Sequence, residues 1–263
     1  IKKLLGLNNC RYALSGAGPI SPDLINWYLS LGIDMREGWG MTETAGVGTA
    51  FYSREIKLGH VGRAVDDSEV RIAQDGEILF RGPGVFCGYL NKPEQTKETL
   101  IDGWLHTGDV GEIDNYGNLK ITDRKKDIII TAGGKNISPS EIENELKFSP
   151  FISDAVVIGD KRKFLSCLIM IDEENVMKHA QDNDIPFSNF ESLCKSEEIV
   201  TLIDDEVNKV NKKFASVEQV KKFSLIDIQL TAEDDELTPT MKLKRKFINQ
   251  KYGDIIESMY QSA

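Results

Sequence analysis

Two turn signatures constrain this chain more than any other feature. Asp75-Gly76 stands between Val70-Arg71-Ile72 and Glu77-Ile78-Leu79-Phe80, and Asn115-Tyr116-Gly117-Asn118 separates residues 111–114 from Leu119-Lys120-Ile121-Thr122. Asn, Asp and Gly accept the left-handed backbone that a tight hairpin demands, so residues 59–123 are expected to hold a small antiparallel β unit. The flanks read differently. Tyr12 to Ser15 is an expected strand before a glycine turn, Ser21-Pro22 an N-cap and first helical residue of a helix ending near Gly32, and residues 33–37 a second strand. After Asp123-Arg124-Lys125-Lys126 the chain alternates again. Strands are expected at 128–131, 155–158 and 165–171, with helical stretches near 173–180 and 197–214 and a last amphipathic helix from about Lys244 to Tyr260. Ser138-Pro139-Ser140-Glu141 reads as a capping box with proline at the first helical position. The expected class is therefore α/β, mixed with α+β features. Its expected parts are 1–126, the C-terminal portion of a large domain including the small β unit, and 127–263, a smaller α/β domain.

At 263 residues the chain is long enough for two cores. Its 32 Lys+Arg against 42 Asp+Glu give a formal charge of -10, which repels a phosphate backbone, so nucleic acid is not an expected partner. Cys10, Cys87, Cys167 and Cys194 form no CxxC pair or zinc spacing and read as reduced thiols of a cytoplasmic protein. The longest apolar stretch, 165–171, is strand length. Peripheral membrane contact stays open, without a strongly basic amphipathic helix to support it. Oligomeric state is not encoded legibly. Ile1 in place of Met points to a beginning elsewhere.

No P-loop, H-E-x-x-H or G-x-S-x-G motif is present, and His60, His106 and His179 have no partner at metal-ligand spacing. What remains is a series of polar signatures on turns: Ser15-Gly16-Ala17-Gly18-Pro19, Gly38-Trp39-Gly40-Met41-Thr42-Glu43-Thr44, residues 103–109 ending in Thr107-Gly108-Asp109, Asp123-Arg124-Lys125-Lys126-Asp127, Gly133-Gly134-Lys135-Asn136 and residues 237–245 around Lys242. In this order they resemble the adenylate-forming (AMP-binding) enzymes, which include acyl-CoA synthetases, peptide-synthetase adenylation domains and beetle luciferases. The ending Thr238-Pro239-Thr240-Met241-Lys242-Leu243-Lys244-Arg245, with the long helical stretch from Glu173 to Phe214, is most similar to the long-chain fatty acid CoA ligases.

The resemblance implies roles. Gly16, Ala17, Gly18 and Pro19 line an adenine pocket, where small residues leave room for a flat base. Gly38, Trp39 and Gly40 face the nucleotide, with Trp39 against the base where tyrosine is usual; Thr42 donates to the α-phosphate and Glu43 holds Mg2+. Asp109 accepts from both ribose hydroxyls, and Arg124 also reaches the ribose. Lys126 falls on a hinge about which the smaller domain turns between two half-reactions. Lys242 bridges carboxylate and α-phosphate, although the usual preceding glycine is Met241 here. Gly133 and Gly134 let the pantetheine arm of coenzyme A pass. The implied activity is ATP-dependent conversion of a fatty acid to an acyl-adenylate and then to its coenzyme A thioester. The alternatives are an enzyme loading an acyl carrier protein and a non-catalytic module of the same fold. The resemblance also implies that the phosphate loop and most of the acyl pocket belong to a preceding portion, so acyl chain length is unreadable.

Overall fold

The computed structural model describes the chain except Pro19, Arg54, residues 228–243 and 262–263. Lys242 and Pro19 therefore lie outside the described residues. The architecture is mixed α/β, as the sequence patterns require, and divides into two units, Ile1–Asp127 and Ile128–Ala263.

In the first unit β1 (Ala13–Ser15), α1 (Pro22–Ser30) and β2 (Met35–Trp39) form a βαβ element, with β1 and β2 parallel. The Ser21 hydroxyl accepts the Asp23 N–H, and Pro22 occupies the first helical turn, where no N–H is needed. Two short strands, β3 (Thr49–Ala50) and β4 (Arg63–Ala64), extend this sheet antiparallel. A second sheet contains β5 (Glu69–Ile72), β6 (Glu77–Arg81), β7 (Leu100–Ile101), β8 (Trp104–Ile113) and β9 (Leu119–Arg124), with helix α2 (Pro93–Thr99) between β6 and β7. Both hairpins form where the turn chemistry places them. Gly76 takes φ +86°, and the Asp75 carboxylate accepts the Glu77 N–H. Asp114 accepts the N–H groups of Tyr116 and Asn118 at 2.8 Å, while Gly117 takes φ +82°. Ile78, Phe80, Leu105 and Leu119 bury themselves beneath Trp39.

The second unit opens with a hairpin, β10 (Ile129–Ile130) and β11 (Asn136–Ile137), followed by α3 (Pro139–Lys147). Its sheet is β12 (Ile152–Ile158), β13 (Leu165–Ile171) and β14 (Val220–Leu225), with β13 central. Every residue of β13 is buried, so both faces must be covered. Alternate side chains go to opposite cores. Leu165, Cys167, Ile169 and Ile171 meet α3, α4 (Glu173–Asp182), α5 (Phe190–Cys194) and α6 (Glu197–Asn211), whereas Leu168 and Met170 meet α7 (Arg245–Lys251) and α8 (Gly253–Gln261). Cutting Leu168 to alanine opens a cavity on the second face and is expected to lower stability by about 2–4 kcal/mol, read by denaturant melts.

Three local expectations are corrected. The amphipathic pattern after Lys244 is two helices, interrupted at Tyr252, with Gly253 opening the second, because glycine weakens a continuous helix interior although the apolar spacing runs on. The helical stretches expected near 173–180 and 197–214 form as α4 and α6, but the long stretch 173–214 is not one helix: α5 lies between them, and Asn183, Asp184 at φ +54° and Pro186 end α4. Pro139 does begin α3, but the Ser138 side chain makes no capping bond to it.

Candidate functional site

The register of β8 with β9 sets Asp109 opposite Arg124. Trp39 reaches the same place from the end of β2. Its indole packs so closely on Gly48 that a Cβ there would stand 2.7 Å from Cζ3, and Phe80 meets the ring edge-on. Buried thus, the indole aims its Nε1–H at Asp109 Oδ2, 2.8 Å away, while Arg124 Nε stands 3.5 Å from Oδ1. Burial pushes the Asp109 carboxyl above its ordinary pKa; the Trp39 hydrogen bond and the Arg124 charge oppose that rise. The result is a carboxylate with lone pairs left over beside an exposed guanidinium, which suits a pair of neighbouring hydroxyls. Sequence reasoning set the Trp39 ring against a base. In the structure the ring is a core group whose polar edge orients Asp109.

Glu77, which the sequence did not single out, holds this turn in shape. Its carboxylate accepts the Gly108 N–H at 2.9 Å, His106 Nδ1 at 3.1 Å and Lys125 Nζ at 3.1 Å, and Lys125 also pairs with Asp75 at 2.7 Å. Burial would raise the Glu77 pKa, yet the bonds from His106, Gly108 and Lys125 outweigh it and hold the group below its ordinary value. The available signal was a charged residue leading the fully buried run Ile78-Leu79-Phe80. Lys125 thereby fixes the strand end just before Lys126, which is exposed in a turn closed by the Asp127 N–H on the Arg124 carbonyl.

After β1 the loop Gly16-Ala17-Gly18 lies against β2, where a Cβ on Gly16 would come 3.3 Å from the Gly38 carbonyl oxygen. Ala17 adopts φ +67°, an unusual backbone for a non-glycine residue. Beneath the loop sits Glu37, 9% exposed, which sequence reasoning also passed over. It accepts the Ile20 N–H, but its Oε2 is buried with no partner among the described residues. Burial raises its pKa to about 7. A buried acceptor of this kind waits for a donor such as an amino group.

Gly40 admits no side chain, since a Cβ there would lie 2.3 Å from the Gly46 carbonyl oxygen. The tight return leads into a 3₁₀ turn, Thr42–Thr44, that leaves Thr42 exposed and Glu43 half-buried. The Thr44 hydroxyl satisfies Met41 N–H. Glu43 accepts from the Tyr89 hydroxyl at 2.6 Å, and that carboxylate pushes the Tyr89 pKa up. Among the described residues no three His, Cys, Asp or Glu side chains form a metal cluster. A lone carboxylate fits Mg2+, which keeps waters and is shared with substrate phosphates, better than a fully enclosed ion.

The remaining expected residues belong to the second unit. Gly133 and Gly134 form the β10–β11 turn, with Gly134 at φ +73°. Three residues past Lys242, Arg245 pairs with both Glu143 oxygens at 2.7 and 2.9 Å and donates to the Val157 carbonyl at 2.8 Å.

Comparison with known proteins gives two family matches: the AMP-binding enzyme C-terminal domain over residues 126–263 and AMP-binding enzyme over residues 2–90. The long-chain-fatty-acid--CoA ligase FadD15 of Mycobacterium tuberculosis is 40% identical over 253 residues, 96% of this chain and 42% of that protein. The long-chain-fatty-acid--CoA ligase ACSBG2 of Xenopus laevis is 36% identical, over 100% of this chain and 39% of its own length. The chain thus spans less than half the length of these relatives. Among solved structures, o-succinylbenzoate CoA synthetase (MenE) of Bacillus subtilis in complex with the acyl-adenylate intermediate OSB-AMP is similar at a TM-score of 0.71 and 26% identity, covering 93% of this chain and 48% of that one.

Proposed function

Because this chain belongs to the AMP-binding enzyme family, we propose that it is part of a longer enzyme that activates a fatty acid with ATP and passes the acyl group to coenzyme A. The observation that carries this reading is the joining of Trp39, Asp109 and Arg124 from distant parts of the chain into one oriented carboxylate and cation. In the proposed reaction a carboxylate oxygen attacks the α-phosphorus, pyrophosphate leaves, and the thiol then attacks the acyl carbon with release of AMP. Asp109 and Arg124 hold the ribose. Glu37 offers its Oε2, which has no partner among the described residues, to the amino group of the base, beside Gly16, Ala17 and Gly18. Thr42 contacts the α-phosphate and Glu43 the magnesium, whose charge would offset that of the phosphates. Lys242 supplies the positive charge that the transition state demands. Residues 127–263 form the part that turns, with Lys126 as pivot, and Gly133 and Gly134 line the path of the thiol.

Full-length enzyme carrying this sequence, given ATP, magnesium, free coenzyme A and fatty acids from short to long, is expected to form long-chain acyl-CoA and AMP. Adenylate formation without transfer to free coenzyme A would instead assign the acceptor to a carrier protein.

A further inference from the structure

Resting on the reading of Glu43 above, we propose that Tyr89 is a positioning residue, whose hydroxyl fixes the Glu43 carboxylate in the orientation that receives nucleotide-bound magnesium. The segment between β6 and β7 wraps the Glu43 turn. A Cβ on Gly84 would stand 3.2 Å from the Thr44 carbonyl oxygen, and the Phe86 N–H donates to the Glu43 carbonyl at 2.9 Å. Tyr89 then places its hydroxyl 2.6 Å from Glu43 Oε1, a short bond of the charge-assisted kind.

The tyrosine is itself held. Its N–H donates to Thr96 Oγ1 at 2.9 Å, and that hydroxyl donates to the Lys92 carbonyl at the start of α2. Gly88, at φ +142°, lets the backbone pass so close to Thr96 that a Cβ would come 2.8 Å from Cγ2. The Phe86 ring meets the Tyr89 ring edge-on at 4.8 Å. Backbone, ring and hydroxyl are thus each pinned, and the pinned hydroxyl ends on the one carboxylate assigned to the metal. With Oε1 occupied by Tyr89, Glu43 is ordered before the nucleotide arrives. A hydrogen-bond partner behind a metal ligand typically changes metal affinity by about 10- to 100-fold.

The test is calorimetric binding of a non-hydrolysable ATP analogue to the full-length enzyme across a magnesium series. Tyr89→Phe keeps the ring and removes only the hydroxyl. Its magnesium midpoint is expected to move up by about 10-fold, with affinity largely restored at saturating magnesium. Phe86→Leu, which alters the ring contact and spares the hydroxyl, is expected to keep the wild-type midpoint; an equal shift there would assign the effect to packing and overturn the proposal. Glu43→Gln separates this inference from the reading beneath it. If Glu43→Gln loses the magnesium dependence while Tyr89→Phe retains the wild-type midpoint, the role of Tyr89 is refuted and that of Glu43 stands. If Glu43→Gln also keeps the wild-type midpoint, both fall.

Discussion

Lys242→Ala in the full-length enzyme is expected to slow adenylation by about 10²- to 10³-fold, measured as ATP–pyrophosphate exchange, while preformed acyl-adenylate is still converted to thioester near the wild-type rate. The split follows from where charge develops. As a carboxylate approaches the α-phosphate, negative charges are forced together in the pentacoordinate transition state, and an ammonium between them lowers that barrier. The expected loss corresponds to about 2.7–4 kcal/mol of transition-state stabilisation. Thioester formation has no such meeting of anions, since a thiol attacks a neutral acyl carbon. Unchanged exchange in the variant would remove Lys242 from the mechanism, and equal loss in both half-reactions would make it a structural residue. Arg245, three residues further on, is itself clamped on Glu143 and the Val157 carbonyl.

How much of this was legible in advance depended on whether the cause was local. The hairpins at Asp75-Gly76 and Asn115–Asn118 are dictated by residues within the turns, and the structure forms them there. Pro22 and Pro139 likewise open α1 and α3. Tyr252-Gly253 was harder, because the apolar face continues across the break and periodicity alone does not register a weakened helix interior. The contacts that shape the candidate site are non-local. Trp39 meets Asp109 across 70 positions, Tyr89 meets Glu43 across 46, and Lys125 meets Glu77 across 48. Nothing in the spacing of a strand or turn announces such a pair. The motifs supplied names for the participants, but that Trp39 turns its N–H toward Asp109 emerges only from packing against Gly48 and Phe80.

The buried carboxylate of Glu37, whose Oε2 has no partner among the described residues, leads to the second large effect, a loss of stability as pH rises. In the unfolded chain this group ionises near its ordinary value of 4.5; in the folded protein burial raises that to about 7. Below 4.5 both states carry the proton and the group is neutral to folding. Between 4.5 and 7 the unfolded state releases its proton while the folded state keeps it, so stability falls by about 1.4 kcal/mol per pH unit. Above 7 the folded state must hold a buried charge, and the accumulated cost levels off at about 3 kcal/mol. Glu37→Gln has nothing to ionise. Relative to wild type it is expected to gain stability steadily from pH 4.5 to 7 and to hold a constant advantage at pH 8, followed by hydrogen exchange of the β1–β2 amides. Parallel profiles for the two proteins would refute the raised pKa. A ligand that delivers a donor to Oε2 stabilises the ionised form and pulls the pKa back down. If that donor is the amino group of the base, AMP must bind wild type more tightly as pH rises through 7, and Glu37→Gln must lose that dependence while the site otherwise remains intact.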